Sequence, residues 1–279
     1  MKDIEVMTMW NDVLSKVSGC MKPLHTLYAS AVVLLAASVA VEARPLGKTF
    51  FEDFTRFERD RWYVSDGWSN GRHQNCLWSK EAVLHEPGQV SLIFEHHRTA
   101  DHAYRCGEIQ TRPRFSYGTF EARIKTDEGS GLNAAFFTYI GEVHGERHDE
   151  IDFEVLMANT REVEVNTYVA GEPKHRAVVP LDEPAHERFY TYSFVWEEGR
   201  MRWYVDGQLV HAVESADLPE RPQKIYLSLW GSDTLTEWMG PFDEPQGAKR
   251  MDIDWVAYTA LGEPCAFEES VLCHPEFEE

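Results

Sequence analysis

His148-Asp149-Glu150-Ile151-Asp152-Phe153-Glu154-Val155-Leu156 alternates acidic and apolar residues. Strict period-two alternation reads as a half-buried β-strand. Residues i, i+2 and i+4 of a strand share one face. Glu150, Asp152 and Glu154 therefore stand in a row above Ile151, Phe153 and Val155. Like charges so placed push one another's pKa values apart. Three readings compete. An acidic edge strand discourages aggregation. A carboxylate pair with a third group between them suits glycoside hydrolysis. A cluster of carboxylates also suits a hard cation, but His148, in phase with the row, lies only at its beginning.

Hydrolysing a glycosidic bond takes one carboxylic acid to protonate the leaving oxygen and one carboxylate at the anomeric carbon. Retaining enzymes hold the two ~5–5.5 Å apart. Residues i and i+4 of an ideal strand are ~13 Å apart at Cα. Glu150 and Glu154 must then lean together on a twisted face, with Asp152 holding their pKa values apart.

The rest of the chain suits that chemistry. Its 279 residues allow one large domain or two small ones, and 43% hydrophobic content gives an ordinary core. Aromatic residues make 13%, compatible with a glycan cleft. Lys plus Arg number 27 against 47 for Asp plus Glu, a net charge of -20. Nucleic acid is excluded as a partner, because phosphate binding needs positive potential. Met21-Lys22-Pro23-Leu24-His25 precedes an apolar run from Ala29 to Val41, followed by Glu42-Ala43. This describes a secretory signal over residues 21–43, with residues 1–20 an upstream extension. The run is short for a membrane span; the competing reading is an uncut anchor.

From Phe50 onward, strand-like runs alternate with turn signals about every 8 to 12 residues. Residues 90–94, 118–124 and 163–169 all alternate. Met201 to Val205, Asp206-Gly207 and Gln208 to His211 read as a hairpin with a type I′ turn. Many short strands predict an all-β sandwich or barrel. No linker divides the chain, so residues 44–262 are read as one domain and 263–279 as an acidic tail containing Cys265 and Cys273. Cys76 and Cys106 sit in strand-like segments. Bridged, they would close a loop of about 30 residues, worth roughly 3–4 kcal/mol; the alternative is two buried thiols. Cys265 and Cys273 can pair with each other.

Several ordered segments resemble glycoside hydrolase family 16, the lichenase and laminarinase family, over about residues 50–259. They include Ser69-Asn70-Gly71, Asn75-Cys76-Leu77-Trp78, Cys106-Gly107-Glu108, Asp149 to Glu154, Val165-Asn166-Thr167-Tyr168 and Leu229-Trp230-Gly231. Tyr63 to Trp68 and Ser130-Gly131-Leu132-Asn133 resemble the secreted endo-1,3-1,4-β-glycanases that trim succinoglycan-type exopolysaccharide. The resemblance implies a concanavalin-like β-jelly roll of two curved antiparallel sheets. It implies Glu150 as nucleophile, Asp152 as assisting carboxylate and Glu154 as general acid/base. It places Asn70, Glu108, Phe137, Asn166, Tyr168, Trp230 and Trp238 along the sugar cleft. It implies a Cys76–Cys106 disulfide, no cofactor for catalysis, and a structural calcium at Asp254. His148 stands where lichenases carry a Trp, and Ser228 where they carry an Asn, so both bear on substrate choice. The implied protein is a secreted or periplasmic monomer acting on polysaccharide, without stable membrane insertion once the signal is removed.

Some positions have plainer readings. A Trp in a β-sandwich is usually core, and Trp196, Trp203 and Trp255 are read so. Trp230 and Trp238 are expected on loops, because Gly, Ser, Asp and Thr surround them. Asn166 and Tyr168 could merely cap the sheet. The competing functions are a glycan-binding lectin, and a transglycosylase or galactan hydrolase on the same site. A lectin has no reason to keep Glu150 and Glu154 together.

Overall fold

The computed structural model describes residues 46–274 and residue 277. The signal reading at 21–43, the preceding stretch and Cys20 lie outside the described residues. The alternation around Glu150 becomes a strand, Asp149–Leu156, in a sheet of seven principal strands. These are β1 (Trp62–Val64), β2 (Tyr104–Thr111), β3 (Leu132–Ile140), β4 (Asp149–Leu156), β5 (Glu162–Val169), β6 (Ala177–Pro180) and β7 (Lys224–Gly231). Their order across the sheet is β1-β2-β7-β3-β4-β5-β6, antiparallel throughout.

A second antiparallel sheet packs behind the first. It runs Val83–Glu86, Gln89–His96, Lys249–Ala260, Gly118–Thr126, Tyr190–Glu197, Arg200–Val205, Gln208–Glu214. β2 joins both sheets. Its first residues pair with Gln89–His96, and Gly107 to Gln110 pair with β7. A Cβ on Gly107 would meet the Ala82 carbonyl oxygen at 2.4 Å, so the crossing has room only for glycine.

Apolar faces of the two sheets meet in one core. Ile151, Phe153 and Val155 are all buried. Phe136 and Phe153 of the first sheet lie 5.7 and 6.4 Å from Phe194 of the second, and Phe194 stacks on Phe120 at 4.9 Å. Truncating one such ring costs about 3–5 kcal/mol, so this layer fixes the spacing beneath the carboxylates. Trp196, Trp203 and Trp255 are buried too. The Asp206-Gly207 turn has φ of 47° and 78°, both positive as a type I′ turn requires.

Cys76 and Cys106 are bridged, with Cα atoms 5.8 Å apart, and so are Cys265 and Cys273, at 5.2 Å. The tail is docked on the second sheet. The buried Glu121 carboxylate accepts from Ser270 Oγ (2.6 Å), the Val271 amide (2.8 Å) and Ser193 Oγ (2.9 Å). Val271 packs with Val195 and Tyr204. No helix among the described residues is long and apolar enough to cross a membrane.

Candidate active site

Strand register sets four rows of side chains across the open face of the first sheet. One row is Lys224, Tyr139, Glu150 and Tyr168. The next is Tyr63, Gln110, Tyr226, Phe137, Asp152 and Asn166. The third is Glu108, Ser228, Ala135, Glu154 and Glu164, and the fourth pairs Trp230 with Asn133. Glu150, Asp152 and Glu154 thus each stand in a different row.

Burial raises two of the three carboxyls, Asp152 and Glu154. Asp152 is 2% exposed. Desolvation, then the charges of Glu150 and Glu154, hold its carboxyl well above the ordinary range, and it hydrogen-bonds Glu150. Glu154 is pushed up to about 8, by burial first and then by Glu150. Asn133 Nδ2 donates to Glu154 Oε1 at 3.0 Å and favours its charged form. Glu150 faces a different environment. His148 Nε2 lies 2.6 Å from Glu150 Oε2 and donates to it. At neutral pH the row offers a proton at Glu154, with the raised Asp152 carboxyl between it and Glu150.

Beside Glu154 stands a fourth carboxylate. Glu164 faces Glu154 across the β4–β5 pair. Arg176 grips it at 2.6 and 2.5 Å through Nε and Nη2. The Trp238 indole N–H donates to the same carboxylate at 3.4 Å.

Aromatic surfaces line the rows. Phe137 stacks on Tyr226 at 5.0 Å, and His148 on Tyr168 at 5.3 Å. Trp230 and Trp238 lie 6.3 Å apart, both half-buried. The loop expectation for them is corrected. Trp230 ends β7, and Trp238 sits in a single helical turn, Thr236–Met239. The small and polar neighbours mark the sheet's rim and a tight turn rather than irregular chain. Asn166 is 2% exposed and faces Asp152. Asn166 Oδ1 and Asp152 Oδ2 are buried without a hydrogen-bond partner among the described residues; sugar hydroxyls could supply one.

Other expected positions lie further out or deeper. Asn70 is exposed on the loop whose Ser69, Gly71, Gln74 and Asn75 line a hollow of about 800 Å³. Glu108 lies in the Glu154 row but is covered, 2% exposed, with Ser65 Oγ donating at 2.5 Å. Burial raises its carboxyl to about 7. Ser228 is buried beside it. Asp254 stands on the second sheet, where its carboxylate is ion-paired with Arg123. This donor set fits a guanidinium rather than calcium, and the described residues hold no cluster of three or more His, Cys, Asp or Glu suited to a metal.

Sequence reasoning missed Asn133, Tyr139, Glu164, Arg176 and Tyr226. Asn133 and Tyr139 sit at period-two positions with Phe137, and that phase was the available signal. Arg176 carried none, because its role depends on β5 lying beside the chain that leads into β6.

Comparison with known proteins agrees with this geometry. The family model described as glycosyl hydrolases family 16 matches residues 70–257. The chain is 50% identical over 230 residues to the endo-1,3-1,4-beta-glycanase ExoK of Rhizobium meliloti (strain 1021), covering 82% of this chain and 85% of that protein. It is 34% identical over 242 residues to a beta-glucanase of Paenibacillus polymyxa, covering 86% and 98%. Among solved structures, a beta-1,3-1,4-glucanase (lichenase) from a mouse hindgut metagenome superposes with a TM-score of 0.74 at 33% identity, covering 77% of this chain and all of that one. The Bacillus licheniformis beta-glucanase gives 0.73 at 33% identity, covering 76% and 98%.

Proposed function

The chain belongs to glycosyl hydrolases family 16, and from that membership we propose that it is a retaining endo-β-glycanase cleaving β-1,3/1,4-linked glucan by double displacement. One observation carries the reading. Three carboxyls share one strand face, with Glu154 holding a proton to about 8 beside a Glu150 that receives a hydrogen bond from His148. That is the division of labour a retaining glycosidase needs. Glu154 gives its proton to the leaving oxygen as Glu150 bonds to the anomeric carbon. Glu154 then takes a proton from the water that breaks the glycosyl-enzyme bond. Asp152, whose carboxyl is held well above its ordinary range by burial, hydrogen-bonds Glu150 between them.

The aromatic rows suit the apolar faces of pyranose rings. The relatives named above act on 1,3-1,4-β-linked polymers and β-glucan by their names, and this chain is read the same way. Succinoglycan-type exopolysaccharide is the proposed natural polymer, with export directed by residues 21–43 and a monomer as the working form. A panel of mixed-linkage glucan, laminarin and succinoglycan, scored for product size with and without an acceptor sugar, tests the proposal. Mid-chain cleavage of a 1,3-1,4-linked polymer is expected. Cleavage of laminarin alone, or chain elongation dominating with acceptor present, would replace it with another activity on the same site.

A further inference from the structure

His148 was expected to border the substrate cleft, and the structure places it against Glu150, the residue read as nucleophile. Its Nε2 is 2.6 Å from Glu150 Oε2. The ring is held on both sides. It stacks on Tyr168, with centroids 5.3 Å apart and planes 12° apart, and meets Tyr139 edge-on at 5.1 Å. The His148 carbonyl accepts from the Gly171 amide at 3.0 Å, in the turn after β5. The imidazole is therefore clamped between neighbouring strands rather than free to swing into the cleft.

We propose that His148 is a positioning residue for Glu150, holding Oε2 so that Oε1 faces the anomeric carbon and stabilising the carboxylate as it is released. This rests on Glu150 being the nucleophile. In the first step Oε1 bonds to the anomeric carbon. The bond to the leaving sugar oxygen breaks, and that oxygen takes the Glu154 proton. The Glu150 carboxylate loses its charge, so the His148 hydrogen bond weakens. In the second step a water oxygen bonds to the anomeric carbon and a water proton passes to Glu154. The bond to Oε1 breaks, and its electron pair returns to Glu150. Charge grows again on a carboxylate whose other oxygen faces an N–H donor, an interaction stronger in the transition state than in the ester. His148 thus favours release of the glycosyl-enzyme.

The imidazole also titrates. The groups facing it are Asp149 and Glu150 at the start of β4, Tyr139 of β3 with His144 beyond it, and Tyr168 of β5. The hydrogen bond to Glu150 raises its pKa, against the opposing effect of burial. Imidazolium would bind Glu150 as an ion pair and blunt it as a nucleophile, so the acid limb of kcat/KM should report His148.

The test compares His148→Phe, which keeps an aromatic ring between Tyr139 and Tyr168, with His148→Gln, which offers an N–H donor and does not titrate. An activated aryl β-glycoside makes the second step limiting. His148→Phe should lose roughly 10- to 100-fold in kcat, the scale of one hydrogen bond to a charged group. The loss should fall on the steady-state rate that follows the burst of about one product per enzyme, with the burst itself preserved. His148→Gln should recover most of kcat while its acid limb moves to lower pH. A raised KM with unchanged kcat, burst and acid limb in both variants would overturn the proposal and leave His148 a sugar contact. Should His148→Phe fail to fold, the acid limb of His148→Gln decides alone. Trapping wild type with a 2-deoxy-2-fluoro glycoside and mapping the labelled peptide tests the underlying assignment separately. Label away from Glu150 would sink that reading whatever His148 does.

Discussion

Glu164 and Arg176 should move the proton of Glu154 in opposite directions. Directly opposed residues of antiparallel strands have Cβ atoms ~4.5–5.5 Å apart. At such a separation two unit charges interact by about 3 kcal/mol with an effective dielectric of about 20. Arg176 offsets part of Glu164's charge through its two-point grip, but its side chain is 56% exposed and so partly screened by water. A net influence near 1 kcal/mol remains, which is just under one pH unit. Glu164→Gln removes the whole of the Glu164 repulsion and leaves the guanidinium, so the alkaline limb of kcat/KM should fall by about two pH units. Arg176→Met leaves Glu164 unneutralised, so the limb should rise, by about half as much because the lost cation was half in water. The assay is kcat/KM on mixed-linkage glucan across pH 5 to 10, with melting curves confirming a folded variant at each pH. Limbs that stay fixed, or that move the same way in both variants, would refute the electrostatic reasoning.

Other consequences concern the scaffold. Replacing Cys76 and Cys106 by Ser should cost roughly 3–4 kcal/mol, read by urea unfolding; an unchanged midpoint would mean the bridge constrains little. Glu108 is raised to about 7 in the fold from an ordinary 4.5 when unfolded. The folded state therefore binds the extra proton, and stability falls as pH rises through that window, by about 3 kcal/mol in all. Glu108→Gln should flatten the melting profile between pH 5 and 8, and parallel profiles would contradict the shift. Because Arg123 already neutralises Asp254, a chelator should leave the melting temperature unchanged; a fall would put a cation there with Arg123 displaced.

The period-two phase of residues 149–156 made both the strand and the face of its carboxylates legible, because pleating ties sequence parity to direction. The Asp206-Gly207 hairpin was legible for an equally local reason. What could not be read depends on which strands become neighbours. β7 pairs with β2 and β3, across sequence gaps of about a hundred residues, and that pairing brings Tyr226 and Ser228 beside Phe137 and Glu108. Arg176 reaches Glu164 only because the chain turns back beside β5. The tail read as an acidic appendage, yet Ser270 meets Glu121 from 149 residues away. His148 was legible as a residue near the cleft, but its bond to Glu150, two residues on in the sequence, depends on side-chain direction.

The central claim is that Glu150 attacks and Glu154 transfers the proton, which fixes the stereochemistry of the product. An NMR time course on mixed-linkage β-glucan, recorded before mutarotation, reads it directly. The account predicts the β-anomer as the first product, with Glu150→Gln folded and almost inactive. An α-anomer appearing first, or substantial turnover by Glu150→Gln, would contradict it.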